Sequence, residues 1–230
     1  MILDVIKVSK VYNKKVVLNK VSFTLHENEV LGIYGPNGSG KTTLINIISR
    51  LVKPTAGSVI FDGKDISNFS IDEITRNGIA RTFQIPMPNP LLTVRETILI
   101  PKFSKNKESM ENKIKDVDGI LKLTRLYKQR DMPATQLSQG CLRRLEIARI
   151  FALKPKVVLL DEIFSSLSIH DEEEMKQLVL RLKENDKCSI IITSHSPRIL
   201  TEVSDRTLYF EDGEKIKEGG KLELLSERFW

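Results

Sequence analysis

Gly35-Pro36-Asn37-Gly38-Ser39-Gly40-Lys41-Thr42-Thr43 fits the pattern Gly, any four residues, Gly-Lys-Ser/Thr, and the segments on either side of it set the class of fold. Upstream, Glu29 to Tyr34 is an apolar run that reads as a strand; downstream, Leu44-Ile45-Asn46-Ile47-Ile48 continues as a helix. A glycine-rich loop between strand and helix is the context in which this pattern binds phosphate. Gly35, Gly38 and Gly40 let the backbone turn its N–H groups inward, and the helix start adds partial positive charge. Lys41 is expected to reach the β- and γ-phosphates and Thr42 to offer its hydroxyl to Mg²⁺.

Outward from the loop, the chain alternates strand and helix. Ile2 to Val8, Val11-Tyr12, Val16 to Leu18 and Val21 to Leu25 suggest an antiparallel hairpin with Asn13-Lys14-Lys15 as its turn. Ser58 to Gly63 reads as a further edge strand closing on an Asp62-Gly63 turn. The apolar piece within Arg76 to Gln84 suggests a strand stopping at Gln84, after which Pro86, Pro88 and Pro90 interrupt regular structure. That stretch is expected to expose Ile85, Met87, Leu91 and Leu92, more apolar surface than a connector needs.

From about Thr93 to Leu153 the spacing becomes helical and highly charged, with Ile114, Val117, Ile120 and Leu121 as an apolar stripe. This reads as a helical subdomain, about 93–153, inserted into an α/β core of about 1–92 and 154–230. Val157 to Leu160 and Ser189 to Ser194 fit parallel strands buried on both faces, with a helix from about Ile169 to Glu184 between them. The tail from Thr207 offers Leu208-Tyr209-Phe210, an Asp212-Gly213 turn and a short terminal helix.

Two further stretches carry chemistry. Asp161-Glu162 closes a buried strand about 120 residues beyond the phosphate loop, where Asp161 is suited to hold Mg²⁺ through water and Glu162 to orient or deprotonate an attacking water. Ser138 has the character of an N-cap for a helix with Leu142, Leu145 and Ala148 at helical spacing, and a helix start bearing a serine hydroxyl and the Gly140 N–H suits an anion.

Composition narrows the class without naming it. The 230 residues are 40% hydrophobic and 29% charged, as in soluble globular proteins. No apolar run reaches the 18 residues of a membrane span, and the N-terminus has no secretory character. Cys141 and Cys188 lack metal-ligand spacing and read as plain thiols. The net charge of +6 comes from intermixed lysines, arginines and carboxylates rather than blocks, so it reads as solvated surface and no nucleic acid is expected.

Gly35 to Thr43, Gln84, Leu137-Ser138-Gln139-Gly140-Cys141, Asp161-Glu162 and His195, in that order, resemble the nucleotide-binding subunit of ABC transporters over essentially the whole chain. The resemblance implies a P-loop NTPase core, with a RecA-like mixed sheet and antiparallel N-terminal strands, carrying a helical subdomain. It implies ATP and Mg²⁺ as ligands, and two subunits head to tail with two ATP molecules between them. It further implies transmembrane permease subunits as partners and a place on the cytoplasmic face of the cell membrane. By the same resemblance Tyr12 stacks on adenine, Gly35 to Thr43 hold the phosphates, and Ser138 and Gly140 donate to the ATP of the opposite subunit. Gln84 contacts Mg²⁺ and the attacking water, and His195 contacts the γ-phosphate. Gly78 to Gln84 and Arg143 to Arg149 look most like the ATPases of branched-chain amino-acid importers, with lipopolysaccharide-export ATPases sharing part of the pattern.

The chain departs from the family at Gln139, Cys141, Ile163 and Ser168, where Gly, Gln, Pro and Asp or Asn are usual. These departures sit on the parts that serve the opposite site or the dimer seam, so both a homodimer and a heterodimer with a second ATPase subunit stay open. The competing class is a soluble ABC-type ATPase acting on DNA or ribosomes. Such proteins usually carry a long coiled coil or two cassettes, whereas here the gap from Gln84 to Ser138 is short. A small GTPase is excluded because Asn19-Lys20 precedes the loop and no Asp follows it at guanine-reading spacing.

Overall fold

The computed structural model describes residues 1–103 and 109–220. Its elements in chain order are β1 (Leu3–Tyr12), β2 (Lys15–Leu25), β3 (Val30–Tyr34), α1 (Lys41–Ile48), β4 (Ala56–Phe61), β5 (Lys64–Asp65), α2 (Ile71–Asn77) and β6 (Ile79–Arg81). There follow α3 (Val94–Phe103), α4 (Met110–Leu123), α5 (Gln139–Leu153), β7 (Val157–Asp161), α6 (Ile169–Glu184), β8 (Ser189–Ser194), α7 (Pro197–Val203), β9 (Arg206–Glu211) and β10 (Glu214–Gly220).

Two sheets form. An antiparallel sheet runs β2-β1-β4-β5, and a mixed sheet runs β10-β9-β3-β8-β7-β6, in which only β10 is antiparallel to its neighbour. The expected antiparallel start and mixed core are both present. The β1–β2 hairpin pairs Tyr12 with Lys15, so its turn is the two residues Asn13-Lys14, both at positive φ as a tight primed turn requires; Lys15 already belongs to the strand. Asp62-Gly63 makes the same kind of turn between β4 and β5. Because β5 pairs with it, β4 is an interior strand and not the edge strand that its sequence suggests; a two-residue partner has no periodicity to detect.

The core divides by strand face. Leu31 and Ile33, Val157 and Leu159, and Ile191 point toward α1 and the antiparallel sheet, joining Leu44, Ile45, Ile47 and Ile48. Val30, Val158, Leu160, Ile190 and Ile192 point the other way, into a cluster supplied by α3, α4, α5, α6 and α7. Strands buried on both faces have no polar side to alternate with, which is why they read as unbroken apolar runs. Each fully buried branched side chain contributes about 1.5–3 kcal/mol of transfer free energy.

Two boundaries and two burials differ from the sequence reading. β6 ends at Arg81 rather than Gln84, and Arg76-Asn77 belong to α2, a short helix opened by a Ser70–Glu73 capping box. On α4, Val117, Ile120 and Leu121 are buried but Ile114 is only half-buried. Leu92 is likewise half-buried, whereas Ile85, Met87 and Leu91 are exposed as expected. The expected terminal helix lies outside the described residues. Among the described residues no helix is long and apolar enough to cross a membrane.

Candidate functional site

Strand register assembles the site. In the parallel sheet Tyr34 pairs with Ser194 and Asp161 with Thr193, so the residues that follow, Gly35, His195 and Glu162, emerge side by side at one edge. Sheet order places β8 between β3 and β7 although it comes after both in the chain. Crevices at the carboxyl ends of parallel strands are where open α/β sheets bind ligands.

The loop from Gly35 to Gly40 closes tightly on the structure beneath it. A Cβ at Gly35 would stand 2.1 Å from the Phe210 carbonyl oxygen, so no side chain fits there. Gly40 caps α1 at φ 101°, and a side chain would also meet Val17 and Leu18. Pro36, Asn37 and Gly38 form the exposed tip, while Ser39 is buried and Thr42 and Thr43 are half-buried at the first turn of α1. Lys41 is 5% exposed, and its ammonium donates to the carbonyls of Gly35 at 2.7 Å and Pro36 at 3.0 Å. Burial lowers its pKa, against the pull of Glu162 and Asp161.

Asp161 is fully buried at the end of β7. Its Oδ1 accepts from the Thr193 hydroxyl at 2.8 Å and from the Thr42 hydroxyl at 3.3 Å. Its Oδ2 has no hydrogen-bond partner and lies 3.9 Å from the Arg81 guanidinium. Burial raises the Asp161 pKa, with Thr193, Arg81 and Thr42 offsetting part of the rise. A buried carboxylate oxygen with no hydrogen-bond partner, beside a threonine hydroxyl, is a hard-oxygen donor set that fits Mg²⁺. Among the described residues no cluster of three or more His, Cys, Asp or Glu could hold a metal by itself.

Glu162, 7% exposed, sits at φ 52° just past the strand; its N–H donates to Thr193 Oγ1 at 3.1 Å, and its Oε2 lies 2.9 Å from His195 Nδ1. The His195 side chain is 57% exposed. Thr193 therefore ties Asp161 to the Glu162 backbone, a role the sequence reading missed. The available signal was a threonine ending a run of isoleucines at the register position facing Asp161.

The other candidates stand apart from this cluster. Among the described residues no hydrogen bond joins the Gln84 side chain to Thr42, Asp161 or Glu162; the residue is exposed, three positions beyond β6. Ser138 caps α5 as expected, accepting from the Cys141 N–H at 3.4 Å, but neither it nor Gly140 bonds to the phosphate loop of its own chain. Gly140 lies against Asp171, whose Cγ would be 3.1 Å from an added Cβ. Ser168 caps α6 and donates to Asp171 at 2.7 Å, and Asp171 is paired with Arg144 of α5. Tyr12, at the end of β1, is 42% exposed, with the Lys10 ammonium 4.7 Å from its ring centroid.

Phe83, Met87, Leu142, Glu146 and Arg149 are among the residues lining a groove of about 280 Å³.

Residues 18–165 match the family model described as ABC transporter. The phosphate import ATP-binding protein PstB of Saccharolobus solfataricus is 36% identical, covering 97% of this chain and 91% of that protein. The probable branched-chain amino acid transport ATP-binding protein LivG of Archaeoglobus fulgidus is 32% identical, covering 98% and 91%. A solved dimeric ATP-binding cassette in a post-hydrolysis state with ADP and Pi superposes with a TM-score of 0.87 at 31% identity, covering 95% of this chain and 98% of that one.

Proposed function

This chain belongs to the ABC transporter family as an ATP-binding subunit that hydrolyses ATP to drive transport, and we propose that its cargo is a branched-chain amino acid, moved inward. The motor reading is carried by one observation: the Gly35–Lys41 loop opens onto Asp161, Glu162 and His195 along a single sheet edge. Lys41 and the loop N–H groups grip the β- and γ-phosphates of ATP. Thr42 and Asp161 would hold Mg²⁺, with Gln84 joining them, and the ion would supply neutralisation of the charge on the phosphates. Glu162 takes the proton of the attacking water. His195 steadies the Glu162 carboxylate and faces the γ-phosphate, and Tyr12 stacks on the adenine.

Ser138 and Gly140 serve the nucleotide of a second ATPase subunit, which accounts for their having no bond to the loop of their own chain. The groove beside Met87 receives a transmembrane permease subunit, and the protein works peripherally on the cytoplasmic face of the membrane. Helices α3 to α5 form the subdomain, about 93–153, that carries Ser138 against the core.

The amino-acid reading rests on Gly78 to Gln84 and Arg143 to Arg149 and on the LivG relative. The PstB relative, at 36% identity, makes phosphate the competing cargo. Uptake of labelled leucine, isoleucine and valine beside labelled phosphate, in cells deleted for this chain, separates the two. Loss of amino-acid uptake alone is expected; loss of phosphate uptake alone overturns the cargo and leaves the ATPase standing.

A further inference from the structure

Arg143 is 2% exposed, although its neighbour Arg144 on α5 is half-buried and Arg149 is exposed. Its Nη1 donates to the Phe83 carbonyl at 2.8 Å, and its Nη2 to the Gln84 carbonyl at 2.5 Å. Glu146, three residues on and 8% exposed, accepts from the Phe83 N–H at 3.0 Å through one oxygen and from Arg143 at 3.2 Å through the other.

A buried ion pair is a poor device for stability, because desolvation roughly cancels the Coulombic gain and an apolar pair of similar volume does as well. What apolar residues cannot do is hydrogen-bond three backbone groups of a segment that lies outside any ladder. The Thr82 N–H reaches the Leu159 carbonyl, and among the described residues the next backbone-to-backbone bond is from the Leu92 N–H to the Asn89 carbonyl. Between them Pro86, Pro88 and Pro90 have no N–H to give. The residue held at the head of this segment is Gln84, three positions beyond the last strand residue.

We propose that Arg143 and Glu146 are positioning residues for ATP hydrolysis, lashing the Phe83-Gln84 backbone to α5 so that Gln84 and the Ser138 end of that helix move as one body. The inference rests on the role given to Gln84 above. Phe83, Met87 and Glu146 also line the groove, so a permease segment seated there bears on the same lashing. Movement of the partner then reaches Gln84 and the Ser138 helix together, and neither can enter its ATP site without the other.

Steady-state hydrolysis by the purified full chain tests this with Arg143→Gln, Arg143→Lys, Gln84→Ala and the double variant Arg143→Gln/Gln84→Ala, alongside nucleotide affinity and thermal melting. Arg143→Gln is expected to lower kcat at least tenfold while KM and ATP affinity stay within twofold, since the phosphate loop is untouched. Arg143→Lys keeps the charge and one reach to a carbonyl, and is expected to recover part of the rate. In the Gln84→Ala background the Arg143 substitution is expected to add less than a twofold loss. Multiplicative losses in the double variant, or wild-type kcat in folded Arg143→Gln, overturn the inference while leaving the Gln84 role intact. Unchanged kcat in Gln84→Ala removes that role and the inference with it. Should Arg143→Gln not fold, Arg143→Met with Glu146→Leu removes both charges together, which a buried pair tolerates; the same tenfold loss at unchanged KM is expected, and wild-type kcat overturns the inference.

Discussion

His195 Nδ1 stands 2.9 Å from Glu162 Oε2, joining the ends of two parallel strands that are adjacent in the sheet but separated by α6 in the chain. The contact holds the carboxylate of the proposed general base at the strand end, next to the loop that carries Lys41. Glu162→Gln keeps the shape and one hydrogen bond but cannot accept a proton from water. Turnover is expected to fall by about 10²–10⁴ with ATP affinity retained, and ATP is expected to hold two subunits together in gel filtration. Wild-type turnover by this variant would remove Glu162 from the chemistry.

Lys41 is the single cation of the phosphate loop. It is held at the Gly35 and Pro36 carbonyls, so it reaches phosphate by exchanging those neutral acceptors for charged ones. A charged hydrogen bond contributes about 1.5–3 kcal/mol, so Lys41→Ala is expected to weaken ATP binding by at least tenfold, read by calorimetry. Equal affinity in the variant would mean that the loop does not grip the nucleotide.

Asp161 opposes stability in the absence of a cation. Its folded pKa is raised by burial, so the folded state holds the proton more tightly than the unfolded state, and the associated stability is lost as pH rises from below the unfolded value through the folded one. Asp161→Asn removes that dependence. Without Mg²⁺ the variant is expected to melt above the wild type at neutral pH, with the gap shrinking as pH falls toward 4, while its Mg²⁺-dependent hydrolysis is lost. A gap that widens on acidification would contradict the burial argument. Mg²⁺ is expected to raise the melting temperature of the wild type and leave that of the variant nearly unchanged.

Structural settings carried by local pattern are legible in the sequence, and those that depend on three-dimensional pairing are not. Gly35 to Thr42, Asp161-Glu162 and the Ser138 cap are local patterns of loop, strand end and helix start, so their structural settings appear in the chain itself. Thr193 and Arg81 act on Asp161 only because the sheet order sets β8 and β6 on either side of β7. Arg143 stands in the sequence only as the first residue of the Arg143 to Arg149 stretch. Its burial depends on the Phe83 and Gln84 carbonyls, some 60 positions earlier in the chain. Helical spacing carries no information about such partners.

Phe83, Met87, Leu142 and Arg149 line the groove, and Ile85 and Leu91, close to Met87 in the chain, are exposed. Met87 is 89% and Leu91 88% exposed, so charging them costs the isolated chain little and acts on whatever covers them. Met87→Asp with Leu91→Asp is expected to leave ATP hydrolysis by the purified chain within twofold and to abolish transport in cells. Undiminished transport would place the permease elsewhere.

The departures Gln139 and Cys141 flank Gly140, which lies against Asp171, the residue that shares the hydroxyl of the third departure, Ser168. Ser168 caps α6 and shares its hydroxyl with Asp171, which packs on Gly140 and pairs with Arg144, so the loop before α6 and the Ser138 end of α5 are braced within this chain. Removing the cap by Ser168→Ala costs about 1 kcal/mol, or about 2–4 °C in melting temperature for a chain of this size. A donating side braced inward and altered at Gln139 and Cys141 suits an assembly in which this chain's nucleotide faces a different subunit's helix, because its own catalytic residues then meet an unaltered donor. The purified chain alone is therefore expected to hydrolyse ATP slowly, and Gln139→Gly with Cys141→Gln is expected to speed it several-fold by restoring the donor in a homodimer. A rate that this pair of substitutions does not raise, in a chain that already turns over cooperatively by itself, would show that the altered side is no handicap and that no second kind of ATPase subunit is required.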